Sequence, residues 1–143
     1  MTSPLSSSED RATALEVVNN WRGIHDEALQ RAFGDIEGLN AVGSDVLIAG
    51  RINKLPTIVD KLGRPDAPSD LQTMYDIAGC RLVVPDLATL ERVYSEIACL
   101  PAFDAPKTKR HDYIAYPRPS GYRGKHAILH YCDLKCGHKL FVE

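Results

Sequence analysis

The chain has 143 residues, 44% hydrophobic and 25% charged, and its 17 Lys and Arg against 19 Asp and Glu leave a net charge of -2. A chain this long can bury about two thirds of its unfolded surface in one core without a metal or disulfide staple, and a pI near 6.2 excludes nucleic-acid binding driven by bulk charge. The opening "MTSPLSSSED" has neither part of a secretory signal and no run reaches the roughly 18 apolar residues of a membrane span, so the expectation is a cytoplasmic protein, with no membrane partner, whose four cysteines are reduced.

In chain order, Ser8 caps a helix with Glu9 and Asp10 in its first turn. Ala14, Leu15, Val18, Trp21 and Ala28 recur at helical spacing to about Phe33, with a possible bend at Gly23. "GDIEGLNAVGSD" reads as a loop and "VLIAGRINKLPTIVDKLGR" as a second helix that Pro56 either begins or kinks. Pro65 and Pro68 end that region, and "SDLQTMYDIAG" reads as a short capped helix and a turn. "CRLVVP" is a short β-branched run that fits a buried strand. In "DLATLERVYSEIACL", Asp86 caps a helix with Leu90, Val93, Tyr94 and Ile97 on one face. "HDYIAY", "HAILHYC" and "KLFVE" read as strands, the last two joined through "DLKCGH" as a hairpin. The fold class expected is α+β, with helices flanking a small mixed sheet.

The chain contains neither a G-x-x-x-x-G-K-[ST] phosphate loop nor a G-x-G-x-x-G turn. Arg51, Lys54 and Lys61 fall on the second expected helix, Asp76 and Arg81 flank a strand start, and "KRHDYIAYPRPSGYRGKH" concentrates cations and tyrosines within residues 109–126. A carboxylate can hold Mg²⁺, cations neutralise phosphate and a tyrosine ring stacks on a base. The three together suggest a nucleotide phosphate site, although solvated surface charge and a turn cap at Asp76 explain the same residues.

The words "GRINKLPTIVDKL", "MYDIAGCRLVV", "HDYIAYPRPSGYRGKH" and "LFVE", in that order and at those distances, resemble the RelA/SpoT synthetase domain. The resemblance covers residues 45–143, with 1–44 as an N-terminal helical segment, and implies a nucleotidyltransferase-like fold. It implies a pyrophosphokinase that passes the β,γ-pyrophosphoryl group of ATP to the 3'-hydroxyl of GDP or GTP, making (p)ppGpp with Mg²⁺ as cofactor. Asp76 then matches the metal-binding aspartate, and Glu143 the acidic residue that helps hold the metal or takes the hydroxyl proton. Tyr122 matches the tyrosine that stacks on the acceptor base and Arg51 the arginine that packs on adenine. Lys61, Arg81, Lys109 and Arg118 match cations that meet phosphates, and His126 a histidine that orients the acceptor. An adenine nucleotide or a tRNA 3' end as acceptor, and a homo-oligomer, are also within the family's range.

The chain departs from the pattern at three places. Asn53 stands where the family's Arg-x-Lys has its second cation, leaving Lys54 to compensate; His111 replaces a usual lysine; Lys125 occupies a usually apolar position. In relatives further segments follow the strand that ends here at Glu143, so a C-terminally truncated domain, nearly inactive and prone to self-association, is expected. A nucleotide-binding remnant without catalysis is the alternative. A zinc-stabilised interaction module, built on His130, Cys132, Cys136 and His138 around the hairpin, is a third reading. The "HD" at His25 and Asp26 is only a helix-surface dipeptide.

Overall fold

The computed structural model describes residues 8–64, 71, 74–108, 112–121, 123–133 and 138–143. Helix α1 spans Ser8–Glu37, continuous through Gly23 and four residues longer than the apolar spacing predicts. Strand β1 (Leu47–Ile52), helix α2 (Leu55–Leu62), strand β2 (Ala78–Val83) and helix α3 (Leu87–Ile97) follow. A four-residue helix α4 (Ala105–Thr108) then leads toward strands β3 (Leu129–Cys132) and β4 (Lys139–Val142). The sheet order is β1-β2-β4-β3, with β1/β2 and β3/β4 antiparallel and β2/β4 parallel, so it is mixed as expected.

Side chains alternate across a strand, which divides the sheet into two faces. Ile48 and Ile52, Ala78, Cys80 and Leu82, Leu129 and Tyr131, and Leu140 and Val142 join one hydrophobic cluster with Ala28, Leu29, Ala32 and Ile36 of α1. Val93 and Ile97 of α3 belong to the same cluster. The small Ala28 and Ala32 let α1 lie close to the strands, and Gly50 completes the fit: a Cβ there would sit 2.2 Å from the Phe33 ring. A second cluster of Ile58, Met74 and Ile77, with Val18 and Trp21 against it, seats α2 and the turn before β2 on α1.

The stretch expected to be a second helix is instead β1 followed by α2. "LIAGRI" pairs along its whole length with β2, from Leu47↔Val83 to Ile52↔Ala78, and Gly50 weakens a helix at that point. Pro56 begins α2, in its first turn. Of the short helix expected in "SDLQTMYDIAG", residues 69, 70, 72 and 73 lie outside the described residues, and 75–77 form a turn. Of "HDYIAY", His111 lies outside the described residues and 112–116 do not form a strand. Asp112 accepts from the amides of Ile114 and Ala115 at 3.1 and 3.0 Å, which folds the segment into a turn, and an isolated bridge to Lys125 is its β-type pairing among the described residues. Asp86 caps α3 as expected, accepting from Thr89 N at 2.7 Å. The β3/β4 pairing runs to Cys132↔Lys139 and is closed by Asp133 N to His138 O at 2.8 Å; residues 134–137 of the expected connection lie outside the described residues.

His25 is not on the helix surface but 1% exposed, with Nδ1 2.8 Å from the Trp21 carbonyl. A carbonyl only accepts, so Nδ1 carries the proton. Burial holds the pKa of His25 below its ordinary 6.5. The unfolded chain therefore binds more protons than the native one in the window below 6.5. The stabilising contribution is complete above that value and is lost as pH falls through the lowered native one. The urea midpoint should drop between about pH 7.5 and about pH 5.5, and His25→Gln should flatten that slope. Parallel pH profiles for parent and variant would assign the slope to other groups.

Candidate functional site

The sheet face opposite α1 carries two of the cations predicted from sequence. Arg51 lies across from Gly79 in the β1/β2 register, Arg81 across from Ala49, and both arginines are exposed. Glu143 extends β4 beside β2: its amide donates to Ala78 O at 3.1 Å and its carbonyl accepts from Cys80 N at 2.9 Å. Arg51, Gly79 and Glu143 thus form a row across three strands, and glycine places no side chain between the guanidinium and the carboxylate. Arg51 and Lys61 do not share a helix; Arg51 is on β1, Lys54 caps α2 and Lys61 is in its last turn.

Asp76 sits in the turn that leads into β2, and the Lys61 ammonium pairs with its Oδ2. Asn53 fixes that turn from below. Its side-chain Nδ2 donates to Asp76 O at 2.7 Å, its backbone amide to Ile77 O at 2.8 Å, and its own carbonyl accepts from Arg22 Nε of α1 at 2.7 Å. At 6% exposure Asn53 is an interior tie and not a missing surface cation. Asn53→Ala leaves the Asp76 carbonyl without this donor and should destabilise the chain by about 1–3 kcal/mol, read as a lower urea midpoint at unchanged m. An unchanged midpoint would show that solvent replaces the bond.

Residues 112–121 and 123–126 fold back on themselves, with Tyr113 N bonded to Gly124 O at 2.7 Å. The Arg118 guanidinium lies 4.5 Å from the Tyr113 ring centre and donates to its hydroxyl at 2.7 Å. The Tyr113 ring meets His126 edge-on at 5.1 Å, and His126 Nδ1 is 3.6 Å from Glu143 Oε1. This chain of contacts brings Arg118, His126 and Glu143 together. Lys109 and Tyr122 lie outside the described residues, as does His111.

Sequence reasoning missed Arg22, Tyr113 and an aromatic row on the same sheet face. Phe141 stands between Tyr75, at 4.7 Å, and His130, stacked at 5.3 Å. The alternation in "KLFVE", which puts Phe141 and Glu143 on one face, was the available signal. The same alternation argues against zinc at the hairpin. His130 stacks on Phe141 on the open face, whereas His138 stands edge-on to Trp21 of α1 at 5.5 Å, on the covered side. Cys136 lies outside the described residues, and among those described no three His, Cys, Asp or Glu side chains group to hold a metal. Cys80, Cys99 and Cys132 are free thiols, and burial, with help from Glu37, pushes Cys80 up to about 11, which leaves it unreactive. Among the described residues no helix is long and apolar enough to cross a membrane.

Asp76, in the turn that leads into β2, and Glu143, which extends β4 beside β2, are carboxylates of the kind that suits a hard cation such as Mg²⁺. That ion needs only one or two protein carboxylates when phosphates and water complete its octahedron. The donor set at Asp76 and Glu143 therefore fits such a metal.

Comparison with known proteins gives a consistent result. The family model described as a region found in RelA / SpoT proteins matches residues 50–142. The GTP pyrophosphokinase YjbM of Bacillus subtilis (strain 168) is 29% identical over 85 residues, 59% of this chain and 39% of that protein. The chain thus spans about two fifths of that relative's length. The crystal structure of small alarmone synthetase 1 from Bacillus subtilis, bound to its product pppGpp, superposes with a TM-score of 0.63 at 24% identity, over 85% of this chain and 65% of that one. Small alarmone synthetase 2 from Bacillus subtilis gives 0.62 at 22% identity, over 93% and 70%. These two likenesses establish the fold.

Proposed function

The chain belongs to the family defined by the region found in RelA / SpoT proteins, and on that premise we propose that it is a pyrophosphokinase making (p)ppGpp from ATP and GDP or GTP. The observation that carries the reading is the row of Arg51, Gly79 and Glu143, with Arg81 on the same face, next to the turn in which Asp76 leads into β2. A guanosine acceptor is the chemistry of YjbM and of the pppGpp-bound relative.

In this reading the 3'-oxygen of the acceptor forms a bond to the β-phosphorus of ATP. The bond from that phosphorus to the bridging oxygen breaks, and AMP leaves with the electron pair. Glu143 takes the hydroxyl proton. Arg51 and Arg81 on the sheet and Lys54 and Lys61 from α2 neutralise phosphate charge or pack on adenine. Lys109, Arg118, Tyr122 and His126 hold the acceptor. Such transfer depends on positioning and charge more than on covalent help from the protein. Asp76 and Glu143 would hold Mg²⁺, which supplies further neutralisation of the phosphates when bound. Lys61, already on Asp76 Oδ2, leaves Oδ1 as the oxygen that can turn toward a cation. Residues 45–143 carry all of these groups, with α1 supplying the support beneath them.

The test is incubation with ATP, Mg²⁺ and either GDP or GTP, followed by anion-exchange separation of the products. AMP and ppGpp or pppGpp should appear in equal amounts. Intact ATP with both acceptors would overturn catalysis, and a separate titration showing that neither nucleotide binds would overturn the site.

A further inference from the structure

Lys125 is a closely paired cation outside the proposed catalytic row. Its Nζ is 2.9 Å from Glu91 Oε1 on α3 and 3.8 Å from Asp112 Oδ2, and it lies 4.7 Å from the centre of the Tyr94 ring, also on α3. The side chain is 16% exposed while Glu91 and Asp112 are 55% and 45% exposed, so the ammonium lies near the surface between two carboxylates and an aromatic face. The hydrogen bond to Glu91 raises its pKa above the ordinary value, and it stays charged throughout the working range. A single exposed lysine–glutamate pair contributes little; here one ammonium meets two carboxylates and a ring, drawn from α3 and from the far end of its own segment.

Its place in the chain gives this cluster a consequence. Lys125 and Asp112 are bridge partners at the base of residues 112–126, the adjoining Tyr113 N–Gly124 O bond closes the same base, and His126 follows directly. Asp112 also holds the turn at Ile114 and Ala115, so Lys125 reaches both ends of the segment and ties them to α3. We propose that Lys125 is a positioning residue. Clasped by Glu91 and Asp112, it fixes the 112–126 segment against α3 and so sets the affinity for the acceptor nucleotide, while the ATP side, built on β1, β2 and α2, is untouched. The acceptor part of this inference rests on the function proposed above; the clasp itself does not.

The experiment uses Lys125→Glu, Lys125→Met, and the charge swap Glu91→Lys with Lys125→Glu. For each, amide hydrogen exchange is followed across 112–126, and the affinities for GDP and for a non-hydrolysable ATP analogue are titrated separately. Lys125→Glu should speed exchange in the segment by at least about tenfold and weaken GDP binding by about tenfold, with ATP-analogue binding within about twofold. Lys125→Met should fall between parent and Lys125→Glu. The swap should recover part of both losses, incompletely because Asp112 then faces the new glutamate. Unchanged exchange in Lys125→Glu, or no recovery in the swap, overturns the clasp. Faster exchange with equal losses for both nucleotides overturns the acceptor-specific role. If the parent binds neither nucleotide the proposed function fails, and the exchange comparison still decides the clasp.

Discussion

Asp76→Asn is expected to slow pyrophosphoryl transfer by at least about a thousandfold, roughly 4 kcal/mol in barrier, with the fold intact. The two halves of that expectation rest on different atoms of the residue. Its fold contribution runs through the backbone, whose carbonyl accepts from Asn53 Nδ2 at 2.7 Å, and asparagine keeps that carbonyl. The side chain contributes a partly exposed ion pair with Lys61, worth about 1 kcal/mol at most. What the amide cannot supply is the negative charge that holds a divalent cation against polyphosphate. Initial rates of AMP formation and a urea titration on the same preparation check both halves. A rate within about threefold of the parent, a difference near 0.7 kcal/mol, would remove Asp76 from the site.

How much of this could be read in advance depended on how local each determinant is. Helix α3 was legible because its cap, Asp86, and its buried stripe lie within one short window. The β3/β4 ladder was legible because its strands are separated by a short connection. Strand β1 was not, since "LIAGRI" leads directly into a true helix and its partner β2 is some thirty residues further on; a short apolar run does not distinguish strand from helix until its partner is known. The site followed the same division. Asp76, Arg81 and the tyrosine-rich segment were visible as sequence words. The tie from Arg22 through Asn53 to the Asp76 turn spans 31 and then 23 residues, and the Lys125–Glu91 contact spans 34. Asn53 and Lys125 were visible only as departures from a pattern, and their roles come from neighbours that the fold supplies.

Glu143→Gln should lower the turnover rate by about 10² to 10⁴, the usual worth of a positioned general base, with much smaller changes in the affinity for either nucleotide. The residue is well placed for that task because both its backbone groups are bonded to β2, at 3.1 and 2.9 Å, which aims the side chain along the open face. Gly79 on one side offers no side chain to displace the carboxylate, and on the other His126 Nδ1 stands 3.6 Å from Oε1, close enough to steer it by charge when protonated but too far for a full hydrogen bond. Glutamine keeps the shape and the strand pairing and removes the charge, and with it the ability to accept the hydroxyl proton and to help hold a cation. Glu143→Asp separates position from charge: it keeps the base and draws it back by one methylene, and a displacement of about 1 Å costs on the order of 10² in such chemistry. The two variants should therefore both be slow. Single-turnover rates with saturating ATP and GDP decide the matter. If glutamine retains the parent rate, the Glu143 carboxylate is needed neither as the base nor for the metal; if aspartate retains it, the strand pairing at Ala78 and Cys80 is not what positions the base.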